Sequence, residues 1–138
     1  MSLSYALRNT VCNYLFRFGT TPTRPSALWL ALGKSITDAA GGVGTEIVGG
    51  GYARVDATSA FGTAPVNGVA SNDVSLTFAV PTADWATAGT PITHFALYDA
   101  STLGNKHTGW VPLNVSRTAL TGDPALVFTP TTIGIAVT

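Results

Sequence analysis

Apolar residues change their period once along this chain. Between residues 4 and 18, Leu7, Val11, Leu15 and Phe18 recur three or four positions apart, with Tyr14 beside them, while Arg8, Asn13 and Arg17 fall elsewhere. A turn of 3.6 residues gathers such positions into one stripe, so the spacing predicts a helix. Ser4 is placed to cap its start, Gly19 to end it, and Pro22 to prevent its continuation. From residue 27 onward the helical period gives way to short apolar runs. Gly, Pro, Thr and Asn interrupt them roughly every ten residues, the spacing of strands and turns in sandwiches and barrels.

The first run is Ala27 to Leu32, followed by a glycine-rich loop over residues 33–44 and a short run from Glu46 to Val48. Gly49, Gly50 and Gly51 precede Tyr52 to Ala57. At least one of these glycines is expected to hold a positive φ or a bulge that a Cβ would strain. From Asp73 to Val80 the alternation is strict. Val74, Leu76, Phe78 and Val80 point one way and Ser75, Thr77 and Ala79 the other, as in a half-buried antiparallel strand. Ile92 to Asp99 is apolar almost throughout, which suits a central strand covered on both faces. Ala100 to Asn105 reads as a turn, and His107 to Leu113 as the returning hairpin strand. Leu126 to Phe128, with Ile133, Ile135 and Val137, supply a last pair that turns at Pro130. The expected fold is one domain over residues 1–138: a helix at about 4–18 and an all-β, antiparallel, jelly-roll-like sandwich at about 27–138. Leu28, Leu30, Leu76, Phe78, Phe95, Leu97 and Ile135 should lie in its core.

Charge sharpens this picture. Seven Lys and Arg balance seven Asp and Glu, and charged residues make up 10% of the chain, against about 25% in an ordinary domain. With no cationic surplus to displace counterions from phosphates, a nucleic-acid partner is not expected. Chains near zero net charge tend to associate, so either Thr, Ser and Asn hydrate the surface or neighbours cover it. Cys12 is the only cysteine, which rules out an intrachain disulfide and a cysteine metal cluster. No apolar stretch approaches the roughly 18 residues of a membrane span. The first residues lack a signal peptide's continuous apolar core and cleavage site, so synthesis as a soluble cytoplasmic protein is expected.

Candidate chemistry is sparse. The stretch GGVGTEIVGGG lacks the Gly-Lys-Ser/Thr of a phosphate loop and the strand-to-helix setting of a dinucleotide site, so no cofactor is expected. His94 and His107 are the only imidazoles. His94 sits in an apolar strand, where a hydrogen-bonded structural role is expected, and His107 follows a turn, facing solvent. No Gly-x-Ser-x-Gly elbow occurs. Asp73, Asp84 and Asp99 could converge as an acid–base pair, or each could brace the turn or strand end where it stands. Two histidines without a spaced carboxylate make a poor metal site. Asn114-Val115-Ser116 matches a glycosylation acceptor without a secretory signal. The expectation is therefore no catalytic residue, no cofactor and no metal. Two rivals remain testable: a small hydrolase, requiring His94 beside a carboxylate, and a carbohydrate-binding module, requiring Trp85 or Trp110 on an exposed face. Trp29, Tyr52 and Tyr98 could join that platform, or all five aromatics could be core and interface anchors.

Three segments together resemble a family of small tailed-bacteriophage proteins known as phage tail fibre proteins. They are LWLALG (Leu28 to Gly33), EIVGGGYAR (Glu46 to Arg54) and LTFAVPTADWATAGTPITHFALYDA (Leu76 to Ala100). The turn after Asp99 departs from the family pattern, with Ser-Thr-Leu-Gly-Asn in place of a tighter Gly-Gly turn. The resemblance implies a structural virion protein and no enzyme, placed on the tail as a fibre or on the capsid as decoration. Its expected partners are other virion proteins and copies of itself, as a homo-oligomer, with host glycan as the alternative ligand and no membrane. Low balanced charge, abundant aromatics and the helix stripe point to Leu7, Val11, Leu15 and Phe18 as a candidate interface. The same stripe could instead cap the chain's own sandwich.

Overall fold

A computed structural model describes residues 5–16 and 25–136. In chain order its elements are α1 (Tyr5–Phe16), β1 (Trp29–Asp38), β2 (Val43–Glu46), β3 (Val55–Asp56), β4 (Val69–Ser71), β5 (Leu76–Thr77), β6 (Ile92–Tyr98), β7 (Val111–Arg117), β8 (Val127–Phe128) and β9 (Gly134–Ala136). The fold is mostly antiparallel β with one short N-terminal helix, consistent with the expected all-β sandwich. Ser4, Gly19 and Pro22, the expected cap and stops of the helix, lie outside the described residues.

The main sheet runs β2-β1-β6-β7, with β3 also paired to β1. β4 pairs with β9 and β5 with β8 in two short ribbons. Register explains which residues meet. Leu30 opposes Leu97 and Leu32 opposes Phe95, so these four share one face. Leu76, Phe78, Phe128 and Ile133 join them in a single core. Each such side chain contributes about 1.5–3 kcal/mol on burial, before entropy. Leu28 and Ile135, also expected in the core, pack against it while staying partly exposed. On the opposite face Ala31 pairs with Ala96 and Gly33 with His94. Gly33 has no side chain where the Trp110 ring lies against the strand. A Cβ on Gly33 would come within 2.6 Å of that ring.

That packing corrects several expectations. Gly33 lies inside β1 rather than opening a loop, and β1 continues to Asp38 with an irregularity between Lys34 and Asp38, where Ser35 takes φ 53°. The supposed loop over residues 33–44 therefore holds the end of one strand and the start of the next. The run from Tyr52 to Ala57 contributes only β3. The alternating segment Asp73 to Val80 forms a ladder only at β5, and Val74 and Val80 are exposed. β6 is central, as its composition predicts, and its returning partner is β7, four residues later than expected at its start. The C-terminal runs do not pair with each other, since β8 joins β5 and β9 joins β4.

Asn72 ties these pieces together from a fully buried position. Its amide Nδ2 donates to Val74 O at 2.8 Å and Thr129 O at 2.9 Å, and its Oδ1 accepts from Ile133 N at 2.9 Å. A buried amide is tolerated only when its donors and acceptor are satisfied, and here one side chain fixes two chain crossings.

Candidate functional site

The three segments that carry the family resemblance meet in space. Glu46 ends β2, and Arg54 lies eight residues on, beyond the glycine turn. Arg54 grips Glu46 with two bonds, Nε to Oε1 at 2.8 Å and Nη2 to Oε2 at 2.7 Å. Its Nη1 donates to the carbonyls of Ala100 and Leu103 at 2.8 and 2.7 Å. The guanidinium also lies 3.5 Å from the centre of the Tyr98 ring. A planar fork that is always charged suits this combination of bidentate pairing and stacking, which lysine cannot reproduce. The Glu46 hydrogen bonds raise the Arg54 pKa further, so the charge is permanent.

The unusual turn after Asp99 now has a reason. Asn105 donates to Asp99 through its backbone N at 2.7 Å and its Nδ2 at 2.9 Å, closing the loop. Leu103 and Gly104 take φ 54° and 74°, and the carbonyls of Ala100 and Leu103 both face Arg54.

Beside this latch, the Tyr52 hydroxyl accepts from Leu32 N at 2.9 Å and donates to Glu46 Oε1 at 3.3 Å. Burial pushes its pKa well above the ordinary tyrosine value, and Glu46 reinforces the shift. The Tyr52 ring stacks on Phe78 and meets Trp85 edge-on at 5.4 Å between centres. Trp85 Nε1 in turn donates to Gly50 O at 2.8 Å. All three glycines of the turn hold positive φ, at 75°, 57° and 77°, as their run predicts. Gly50 has a second constraint, because a Cβ there would sit 2.9 Å from the Trp85 nitrogen.

The residues considered for catalysis are dispersed. His94 Nδ1 lies 2.8 Å from Thr93 Oγ1, burial lowers its pKa, and the cleft around it is lined by Ser35, Ile36, Gly89, Thr90, Pro91 and Thr93, with no carboxylate. Asp73 accepts from Thr63, Asp84 from Thr121 and Asp99 from Asn105, so Asp99 braces its own turn while Asp73 and Asp84 tie separate parts of the chain together. His107 stands partly buried, its Nε2 3.8 Å from Asp99 Oδ2. Among the described residues no group of three His, Cys, Asp or Glu could hold a metal. Trp85 and Trp110 are both buried, which removes the exposed sugar platform the carbohydrate reading required.

α1 differs from everything above. Tyr5, Tyr14, Leu15 and Phe16 are exposed, Val11 is partly so, and no described side chain of the helix belongs to the core. Of the four stripe residues, Leu15 stands open to solvent and Val11 half so. Leu7 lies within the helix, but its side chain is outside the described set, as is Phe18 altogether. Tyr5 and Phe16 were not singled out by the stripe. They are apolar residues off its i, i+4 line, and only their exposure reveals them.

One further surface was not anticipated. Val66 and Val69 exchange both backbone bonds, at 3.0 Å each, around Asn67 and Gly68 with φ 52° and 76°. This is a two-residue hairpin of the type Asn-Gly favours. Its valines are exposed and line a cleft of about 300 Å³ with Thr63, Asp73 and Thr131. The dipeptide itself was the signal that could have located it.

A family model described as Podophage GP4 fiber I protein gp80 matches residues 2–136. No functionally curated protein matches the chain.

Proposed function

Because the chain belongs to the podophage fibre I protein family, a family of structural fibre components of the phage virion, we propose that it is a non-enzymatic building block set in many copies on the phage tail. The description of the family as a fibre favours the tail over the capsid surface. The observation that carries the multi-copy reading is α1, which presents Tyr14, Leu15 and Phe16 to solvent on a segment with no described core residue. Exposed aromatic and aliphatic residues in a cluster mark interaction surfaces. Leu7, Val11, Leu15 and Phe18 remain the proposed interface, with Tyr14 and Phe16 added. The rest of the chain reads as a rigid platform, its loops fixed by the Arg54 latch and the Trp85 stack. Imaging of virions with an antibody to this chain, combined with copy counting by quantitative mass spectrometry, tests the proposal. Label on the tail at many copies per particle is expected. Its absence from purified particles would refute the reading, and label on the capsid would move the protein to the head.

A further inference from the structure

The neutral total hides a segregation of charge. Residues 1–28 contain Arg8, Arg17 and Arg24 and no Asp or Glu, a side-chain charge of +3. Residues 29–138 contain four Lys and Arg against all seven carboxylates, a charge of −3. No Lys or Arg occurs between Arg54 and Lys106, a stretch that holds Asp56, Asp73, Asp84 and Asp99. The cleft at the Asn67-Gly68 hairpin lies within this acidic stretch. It is walled by Val66, Val69 and Ala64 and carries one charged group, Asp73. Both bonds that Thr63 gives Asp73 fall on Oδ2.

We infer that the N-terminal arm of one copy docks into the hairpin cleft of the next copy, building a head-to-tail array. The inference rests on the multi-copy reading above and specifies its contact. The two surfaces match in chemistry: apolar side chains with arginines on the arm, apolar side chains with a carboxylate and no cation in the cleft. The arm contains three arginines and no carboxylate, and the one charged group of the cleft is the Asp73 carboxylate. The cleft is preorganised, as its hairpin closes with two backbone bonds and Thr131, at φ 67°, donates its N–H to Asn72 O at 2.8 Å. A contact between two different surfaces does not close on itself in a pair, so it propagates.

The test uses the full chain in three forms: wild type, the arm variant Leu15→Asp and the cleft variant Val66→Lys, both at exposed positions. In sedimentation velocity, wild type should grow in mass with concentration, and its association should weaken about tenfold or more from low to high salt, as screening predicts. Each variant alone should remain monomeric with an unchanged melting temperature. Mixed together they should form a dimer and no larger species, because one intact arm and one intact cleft remain. Monomeric wild type at every concentration would overturn the inference. So would association that neither variant alters, which assigns assembly to another surface and leaves the fibre reading standing. A melting temperature lowered by Leu15→Asp in a monomeric protein would place the helix on its own body, and arm-dependent binding of duplex DNA or anionic vesicles without self-association would assign the charge elsewhere; either result overturns it. Virion labelling decides the fibre reading separately.

Discussion

Trp85 and Phe16 are both large aromatic residues, yet Trp85 is 1% exposed and Phe16 80%. The difference lies in what the surrounding chain supplies. Around Trp85, a glycine turn approaches closely enough to accept its N–H, Tyr52 meets its ring, and Lys34 Nζ donates to its carbonyl at 2.9 Å. Segments far apart in sequence converge on it. Around Phe16 there is one helix of 12 residues, and an isolated helix of that length is marginal in water. The body thus completes its own packing, while the apolar residues of the helix stay exposed among the described residues. Apolar composition is common to both regions; closure is confined to the body.

The comparison is most sharply tested by paired truncations. Trp85→Ala should destabilise by about 3–5 kcal/mol in a denaturant titration, through lost transfer energy and a cavity. Leu15→Ala in the dilute protein should cost less than about 0.5 kcal/mol, as at other exposed positions. Equal costs would show that the helix packs on its own chain.

The latch gives the next largest effect. Arg54 has a side chain 7% exposed against 22% for Glu46, so the guanidinium is the more deeply committed partner. Arg54→Lys keeps the charge but cannot hold two carboxylate oxygens and two carbonyls in one plane, and should cost roughly 1–3 kcal/mol. A melting temperature equal to wild type would reduce the latch to ordinary charge neutralisation.

Acid should also act on the body alone, since α1 contains no carboxylate. Hydrogen bonds from Thr58, Thr121 and Asn105 hold Asp56, Asp84 and Asp99 below the ordinary value of 3.8. Their folded pKa values are depressed, so the stability they add is present above 3.8 and is lost as pH falls through the lower folded values. His94, lowered from 6.5 by burial, has the same sign and begins to act just below 6.5. Thermal unfolding across pH should therefore show a shallow decline below 6.5 and a steeper one below 3.8, the steeper part reduced in Asp84→Asn. A melting temperature independent of pH down to the lowest values would contradict this assignment.

The smallest effect concerns Leu103, a bulky residue at φ 54° and 87% exposed. Left-handed backbone is costly for such a side chain, and Leu103→Asn should raise stability by up to about 1 kcal/mol. Because Leu103 contributes its carbonyl rather than its side chain to the latch, destabilisation would mean the leucine packs where the structure shows it exposed.

Much of the body was legible in residue order. The continuous apolar run of β6 predicted a central strand because a strand covered on both faces has no polar side to show. The triple glycine predicted positive φ because those are the positions where a Cβ is strained. The charge segregation was equally legible, since it needs only the positions of Arg8, Arg17 and Arg24 relative to the carboxylates. The alternation from Asp73 to Val80 misled, because side-chain period says nothing about whether a partner strand is in reach: the backbone of Phe78 bonds to Leu126 O, but the ladder itself is confined to Leu76 and Thr77.

What the sequence determined by itself is therefore local: a period, a turn chemistry, a family pattern, a distribution of charge. Only the tertiary structure decided which face of β1 takes Trp110, that Glu46 and Arg54 clasp across the glycine turn and reach Ala100, and that Asn72 joins two chain crossings. Each of those depends on pairs separated by many residues, whose meeting is selected by the packing of the whole core. The exposure of α1 belongs to the same class, because a stripe of apolar residues reads identically whether its cover is the same chain or the next copy.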